Sequence, residues 1–338
     1  MEKLNFDITN LKYSERDGNL DIKSHSNPPS TKYFPIYGDR IFKPLSYTKP
    51  LTTPIFCYAE VFWSYYIKKY FYTEGLTTNL ALCEGITDEQ PKYRKQGVLV
   101  DSYLNSGEKD ISIYEYFNLH PDEAVNINDY VNYCLEFYDY IPIFMSKIIK
   151  NRQDLGEELA LLVLLSLLTM NENFHYENNR FICSKDGEIL RLNPPFDNEF
   201  SLPFLFPESQ TSNAYFLIKY IGNMDGHNVL GKNLRFIAEH YPNVCHKFLD
   251  GLVKFDKEIK NNPVIIEDNS FIGNVSSAEY NIYQARLHEH DEEAAKKLIK
   301  KIKLQEINYF ALNSLINKEI QANNEVIQNG LEHMLKLN

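Results

Sequence analysis

An uncharged apolar run from Leu159 to Met170 is the feature that most constrains how this chain can fold. Asp154 and Glu157 precede it at the spacing of a capping box, which marks the start of a helix. A helix that is apolar on every face is buried on every face. The run is also too short to span a bilayer. The sequence therefore predicts a helix at the centre of a helical domain, and no membrane segment.

A polar stretch follows this helix at once. Its amide, imidazole and carboxylate groups belong to Asn171, Asn173, His175, Asn178 and Asp197. Before Asp197, the turn signal Lys185-Asp186-Gly187 separates two short apolar runs, which predicts a β-hairpin. The hairpin turns the chain back, so we expect Asp197 to lie near Asn178. An amide oxygen and a carboxylate suit Mg²⁺, although a polar loop beside a structural hairpin shows the same pattern.

A second hairpin is predicted near the N-terminus, where Gly38-Asp39 joins two short β-like runs. Lys43 ends the second run, and Glu60 lies on a helix predicted from Ile55 to Phe71. Phosphoryl transfer needs a cation on the nucleotide phosphates, and an acid on a neighbouring helix can hold that cation in place. A strand Lys and a helix Glu are common, so an ordinary structural ion pair is the alternative.

The order of the elements indicates the fold class. Strands concentrate toward the start of the 338-residue chain and helices in the rest. We predict an α+β protein with a small β-rich N-lobe, residues 1–104, and a larger α-helical C-lobe, residues 105–338. Residues 1–32 are polar and turn-rich and are predicted to form a loop, with room for one strand.

Composition excludes several classes of function. The net charge is -11 and the pI is near 5.4, so the chain lacks the basic footprint of a protein that binds nucleic acid directly. The five cysteines include no CxxC pair, which favours a reduced, cytoplasmic setting over disulfides or a zinc site. The N-terminus lacks the apolar core of a signal peptide. No GxSxG, HExxH or P-loop motif is present, which disfavours hydrolase and Walker-type functions.

Together these motifs resemble the HipA-like serine/threonine kinases, and most closely their CtkA-type branch. The loop from Asn171 to Asn178 resembles the family's N-x-D-x-H-x-x-N loop, and Pro194-Pro195-Phe196-Asp197 resembles its P-x-[FY]-D segment. Ile41-Phe42-Lys43-Pro44 resembles its lysine strand, Tyr58-Ala59-Glu60 its helix acid, and Gly97 to Asp101 the strand before the adenine-contacting hinge. The resemblance spans residues 24–200.

The resemblance implies a two-lobed protein-kinase-like fold with ATP in the cleft between the lobes. Lys43 would contact the phosphates and would be held by Glu60. Val100 would lie beside the adenine. Ser30 and Lys32 would belong to the loop that covers the phosphates. Each of these roles is an expectation drawn from the family.

The resemblance also implies a catalytic loop and a metal site. Asn178 and Asp197 would hold Mg²⁺, and His175 would be catalytic or would hold the loop backbone as a scaffold. The family's catalytic aspartate falls on Asn173, and an amide cannot act as a base. The chain is therefore either a natural pseudokinase or an active kinase whose aspartate has been replaced. The intact His175 and Asn178 favour the second interpretation.

The phosphate loop departs from the family pattern as well. Residues 24–32 contain no glycine and two prolines, which remove two backbone donors. Backbone N–H groups, Ser and Thr hydroxyls and Lys32 could still bind phosphates. HipA-like kinases have a serine loop here that is sometimes self-phosphorylated, so Ser26 and Ser30 are candidates for regulation. A plain surface loop is the alternative.

The first functional hypothesis is an ATP- and Mg²⁺-dependent Ser/Thr protein kinase, impaired at Asn173 and toxin- or effector-like. Its substrate would be a Ser or Thr of a cellular protein, and an antitoxin protein would be a partner. The protein would be cytoplasmic, or delivered into a host cell as an effector. The alternatives are a pseudokinase that binds a nucleotide or a partner, and a small-molecule phosphotransferase of the aminoglycoside-kinase type.

Overall fold

The computed structural model describes residues 4, 6–24, 30–44, 55–85, 94–119, 141–142, 144–146, 152–169, 171, 174, 178–195, 201, 229–266 and 309–337. Within these ranges the protein is a mixed α/β structure, with strands gathered in two sheets and long helices toward the C-terminus. None of the described helices is long and apolar enough to cross a membrane.

The larger sheet has six strands in the order β1-β5-β6-β4-β3-β2. The strands are β1 Ile8–Lys12, β2 Gly18–Ser24, β3 Ser30–Tyr37, β4 Arg40–Pro44, β5 Thr78–Glu84 and β6 Arg94–Asp101. Strand β1 is parallel to β5, and the other neighbours are antiparallel. The predicted turn at Gly38-Asp39 is confirmed: it joins β3 to β4, and Gly38 has a φ of 64°.

The prediction of a loop over residues 1–32 is wrong. This part of the chain contributes β1, β2 and the start of β3 to the sheet. The short strands β1 and β2 have weak local patterns, and β1 finds its partner at β5, about seventy residues later in the chain. Pairing with other strands of the folded protein, and not the local sequence pattern, therefore determines that these residues form strands.

Helix α1, Ile55–Tyr70, confirms the helix predicted from Ile55 to Phe71. It connects β4 to β5 and packs against β5 and β6. Its buried positions are Cys57, Tyr58, Ala59, Glu60, Val61, Phe62, Trp63, Ser64, Tyr66 and Ile67. A helix buried on most of its surface lies between layers, and α1 is covered by the sheet on one side and by a C-terminal helix on another.

The smaller sheet has the order β7-β8-β9. Its strands are β7 Lys109–Ser112, β8 Arg180–Cys183 and β9 Ile189–Leu192, and helix α2, Ile113–Leu119, follows β7 directly. The hairpin predicted at Lys185-Asp186-Gly187 is confirmed as β8–β9, with Gly187 at a φ of 91°. A glycine takes this left-handed backbone conformation without steric cost.

The apolar run predicted to be a buried helix forms α3, Gln153–Thr169. Its side chains from Leu162 to Thr169 are all buried. The helix begins one residue before Asp154, so Asp154 lies in its first turn and not at the cap. The Asp154 carboxylate accepts a hydrogen bond from Nη2 of Arg152 at 2.7 Å.

The described helices after α3 are α4 Val229–His240, α5 Pro242–Asn261 and the 29-residue α6 Tyr309–Leu337, and α5 packs directly on α3. Helix α6 packs on α3, α4 and α5, and α5 also contacts α1. One cluster of buried side chains runs from α1 and β5 through α3 to α5 and α6. The predicted division at residues 104 and 105 remains a prediction.

Asparagine side chains tie α6 to two other segments. Asn317 binds both the N–H and the C=O of Val264, at 2.8 and 2.9 Å, and Asn313 does the same for Ile266, at 2.9 and 3.0 Å. Asn323 is buried and donates to the carbonyl of Leu168 at 2.8 Å, in the last turn of α3. The C-terminal helix therefore satisfies backbone groups far away in the sequence.

Candidate functional site

Strand β4 places Lys43 inside the larger sheet, between β3 and β6. Lys43 lies opposite Val98 of β6. The neighbouring Gly97 allows this close approach, because a Cβ there would lie 2.3 Å from the Lys43 carbonyl oxygen and 2.8 Å from the Phe42 ring. Any larger residue at position 97 would push β4 and β6 apart.

Helix α1 places Glu60 against the same strand. Lys43 Nζ donates to Glu60 Oε1 at 2.6 Å. The Glu60 side chain is 6% exposed and that of Lys43 is 19% exposed, so water screens this ion pair little. A second bond, from Thr78 Oγ1 of β5 to Ser64 Oγ at 2.9 Å, fixes the middle of α1 on the sheet. The structure thus brings together the two residues whose contact the sequence left open.

Ser30 and Lys32 lie in β3 and not in a loop. Ser30 pairs with Ser24 and Lys32 with Ile22, so the strands of this hairpin extend further than predicted. Because β3 and β4 are antiparallel neighbours joined at Gly38-Asp39, the start of β3 and Lys43 lie toward the same end of the sheet. Residues 25–29, which include Ser26, are outside the described residues.

Val100 is half-buried on β6, where it lies opposite Ile41 of β4 and Thr78 of β5. The strand ends at Asp101, whose carboxylate accepts a hydrogen bond from the Thr77 backbone at 2.9 Å and lies 3.2 Å from Nε of Arg40. Val100 therefore lies one residue before the end of β6, with β4 on one side and β5 on the other.

Of the predicted catalytic loop, the structure describes only Asn171, Phe174 and the residues from Asn178 onward. Asn173 and His175 are outside the described residues, and so is Asp197 after the hairpin. Asn178 is half-buried just before β8. Of the two predicted Mg²⁺ ligands, Asn178 and Asp197, the structure therefore describes Asn178 alone.

Asn193 joins the two ends of the β8–β9 hairpin. Its Oδ1 accepts a hydrogen bond from the Arg180 backbone at 2.7 Å, and its Nδ2 donates to the carbonyls of Pro194 at 2.9 Å and Asn178 at 3.4 Å. The side chain is buried, with 3% exposure for the residue. The segment before β8 and the segment after β9 are thus held side by side, as the hairpin prediction requires. Sequence reasoning missed Asn193, although an amide directly after the second strand was a usable signal.

A small cavity of about 30 Å³ lies beneath this loop. Helices α1 and α3 contribute both apolar and hydroxyl side chains to its lining, and the loop side is rich in amides: Ile67, Leu162, Leu165, Ser166, Thr169, Asn171, Phe174, Asn178, Asn179, Asn193 and Pro195. The volume suits about two water molecules, which amide and hydroxyl groups can bind. It is too small for a nucleotide.

Charged residues tie the segment after β6 to the smaller sheet. Glu108 accepts hydrogen bonds from the Asn105 backbone and from Nη2 of Arg191, each at 2.8 Å. Burial opposes ionisation of Glu108, but these bonds and the Arg191 charge outweigh it and lower the pKa of the carboxyl below its ordinary value. Asp110 of β7 likewise binds Nε of Arg180 and accepts from the Tyr103 hydroxyl at 2.8 Å.

The described residues provide a half-buried ammonium group, held by a buried carboxylate, on a sheet and a half-buried amide near a hairpin. An ammonium group held by an acid can bind an anion such as a phosphate. An amide oxygen is a suitable ligand for a hard cation when a carboxylate completes the site. In the part of the chain that the structure describes, no three His, Cys, Asp or Glu side chains come together as a metal site.

Comparison with known proteins gives little further guidance. No family model matches the sequence, and no curated protein sequence matches it significantly. Among solved structures, the chain is similar to a crystal structure of the Helicobacter pylori proinflammatory kinase CtkA. That match covers 98% of this chain and 99% of the other, at 11% identity and a TM-score of 0.44. Similarity at this level is too low to carry a function from one chain to the other.

Proposed function

We propose that this protein is an ATP- and Mg²⁺-dependent Ser/Thr protein kinase of HipA-like type, in a form impaired at Asn173. The observation that carries the proposal is the buried ion pair of Lys43 and Glu60 at 2.6 Å. Protein kinases need a Lys on a central strand paired with a Glu on the following helix. Here β4, α1 and the strands that follow present that pair.

The chain's own residues would act mainly by positioning. Lys43 would neutralise phosphate charge, and Glu60 would keep its ammonium group in place. Strand β3 begins at the same end of the sheet as Lys43. The β2–β3 hairpin would therefore cover the phosphates with backbone N–H groups. Val100 would lie near the adenine. Mg²⁺, when bound, would neutralise charge on the transferring phosphate, and Asn178 with Asp197 would hold it.

Position 173 would face the hydroxyl of the substrate. An aspartate there accepts or orients the hydroxyl proton, and an asparagine cannot accept it. Loss of a general base lowers the rate by about a hundredfold to about ten-thousandfold. Residual transfer would rest on orientation and charge alone. His175, close in sequence, would support the loop backbone.

The test is nucleotide binding followed by phosphate incorporation. ATP with Mg²⁺ at about a hundred times its Kd should stabilise the folded chain by about 2.7 kcal/mol, seen as a rise in Tm. Lys43→Ala should abolish this rise, and Lys12→Ala, an exposed lysine on β1, should preserve it. A wild-type chain whose Tm is unmoved by ATP and Mg²⁺ contradicts the proposal.

Catalysis is tested separately with Asn173→Asp and labelled ATP. The substitution should restore phosphate incorporation, either into the chain itself or into a protein with a Ser or Thr acceptor. Ser26→Ala and Ser30→Ala would then show whether the hairpin is self-phosphorylated. The cellular setting we propose is cytoplasmic, with a toxin- or effector-like role and an antitoxin protein as partner.

Asn173 also favours a second candidate, a pseudokinase that binds a nucleotide or a partner protein without transferring phosphate. An amide in place of the base is the expected state of such a module. The two candidates differ in one outcome. ATP binding without incorporation in Asn173→Asp supports the pseudokinase, whereas incorporation supports the kinase.

A further inference from the structure

The last turn of α1 is tied to α5 by a buried carboxylate. Glu258 of α5 is buried, with 5% of its side chain exposed, and lies 2.8 Å from Nζ of Lys69. Lys69 contacts both carboxylate oxygens of Glu258, and the hydroxyl of Tyr70 donates to one of them, Oε2. Lys69 also donates to the Tyr65 hydroxyl at 3.1 Å. Two consecutive residues at the end of α1 therefore converge on one acid of another helix.

The backbones approach closely at the same place. A Cβ on Gly251 of α5 would lie 2.5 Å from the Tyr70 carbonyl oxygen and 2.9 Å from the Phe71 ring. Phe255, one turn further along α5, packs against Tyr66 with ring centroids 5.0 Å apart and against Phe62 at 6.3 Å. The close helix approach at Gly251 and the aromatic cluster of Phe255, Tyr66 and Phe62 thus lie near the Glu258 contacts.

Lys69 keeps its positive charge and Tyr70 its proton at neutral pH. Burial of Lys69 disfavours its charge, but the bonds to Glu258 and Tyr65 outweigh burial and raise the pKa of its ammonium group. Burial, together with the bond to Glu258 and the negative charge of that residue, raises the pKa of Tyr70 to about 12, so its hydroxyl stays protonated and donates to Glu258. Removing the carboxylate would take the anion away from a half-buried cation, which is unfavourable.

Glu60 lies on the same helix as Lys69 and Tyr70. Nine residues of helix separate Glu60 from Lys69, which corresponds to about 14 Å along the axis. The hydrogen bond that Thr78 of β5 donates to Ser64 lies between them and attaches the middle of α1 to the sheet. A helix moves as a rigid rod over this length, so a tilt released at its end displaces Glu60 relative to Lys43.

We propose that Glu258 is a positioning residue for the Lys43–Glu60 ion pair. By fixing the end of α1 on α5, it keeps the pair assembled in the absence of any ligand. An effect of Glu258 on ATP affinity is expected only if the proposed function holds. An effect of Glu258 on the reactivity of the Lys43 amine is expected in either case.

The experiment measures the rate at which an amine-reactive acylating reagent modifies Lys43 in the full chain without nucleotide, by mass spectrometry. Glu60→Gln provides the positive control, because it removes the carboxylate charge that holds the Lys43 ammonium group. Glu258→Gln and Lys69→Met should each raise the rate by between about twofold and about thirtyfold, the range of couplings between distant sites. Lys69→Arg should restore the wild-type rate. Met334→Ala, in the core of α6, serves as the control for general destabilisation.

The acylation rates of the variants distinguish positioning by Glu258 from general destabilisation. Faster acylation of Lys43 in Glu258→Gln and Lys69→Met, but not in Met334→Ala, supports positioning. Unchanged acylation in both variants, or an equal rise in Met334→Ala, overturns it; Lys69→Met decides if Glu258→Gln does not fold. ATP affinity is measured in parallel: a wild-type chain that binds no ATP refutes the proposed function and leaves the acylation result standing.

Discussion

Lys43 Nζ lies 2.6 Å from Glu60 Oε1 and bridges a central strand to the helix that follows it. The two partners are unequally buried, with side-chain exposures of 19% for Lys43 and 6% for Glu60. In this ion pair the protein encloses the Glu60 carboxylate almost completely, while part of the Lys43 side chain stays accessible to solvent. That asymmetry suits a lysine that must be held by the protein and still reach a ligand.

Removing both partners of this pair should cost less than the sum of the two single removals. Lys43→Met removes the ammonium group beside the buried Glu60 carboxylate, and Glu60→Leu removes the carboxylate beside the Lys43 ammonium group. Each single variant should lower the free energy of unfolding by about 2–4 kcal/mol, and the double variant by clearly less than the sum. Urea unfolding of the wild type and the three variants measures the coupling. Strict additivity would show that the contact is energetically unimportant.

Gly97→Ala should disrupt the sheet beside Lys43. The added Cβ would meet the Lys43 carbonyl at 2.3 Å, and because that atom is backbone, it cannot rotate away. We expect a loss of about 2–4 kcal/mol of stability by overpacking. Gly18→Ala on β2 is the matched control, since a Cβ there meets nothing within 4 Å. Equal Tm values for the two variants would be inconsistent with the close approach of β4 and β6.

Asn193→Ala should loosen both ends of the β8–β9 hairpin. It leaves the buried N–H of Arg180 without its acceptor, which costs about 1–3 kcal/mol. Faster hydrogen exchange at the amides of residues 178–181 would report the effect locally. Asn105→Ala, which removes an exposed amide in the segment after β6, is the control. If exchange rises equally in both variants, Asn193 does not hold the loop.

Glu108 should make stability depend on pH. Its folded pKa is lower than its unfolded value, so its stabilising contribution is complete above the ordinary value of 4.5 and is lost as the pH falls through the folded pKa. Wild type should therefore have a higher Tm than Glu108→Gln at neutral pH, and the gap should shrink toward about pH 3. A gap that stays constant across this range would mean that the Glu108 carboxylate contributes nothing as an anion.

Local signals predicted the elements that depend on local chemistry. The buried helix α3 and the turns at Gly38 and Gly187 follow from apolar pattern and from residues that accept a positive φ. Strand β1 was missed because its partner is distant in sequence, as in the pairing of Ile8 with Leu80, whereas β2 was missed although it pairs with β3, the next strand in the chain.

In the candidate site too, local sequence indicates some residues, and contacts between distant parts of the chain determine the rest. The sequence indicated Lys43 and Glu60, but only the sheet and helix packing shows that their side chains meet. Glu258 could not be singled out, because it acts through contacts made by folding: Glu258 and Lys69 are 189 residues apart in sequence. Asn173, His175 and Asp197 remain predictions, since they lie outside the described residues.

The asparagines at positions 313 and 317 of α6 have a consequence for solubility. They bind both backbone groups of Val264 and Ile266, as the edge of a neighbouring β-strand would. An extended apolar segment with unpaired backbone groups invites strand addition by another molecule. Here a helix occupies that edge, so the segment is protected from intermolecular pairing on that side without a further strand in the fold.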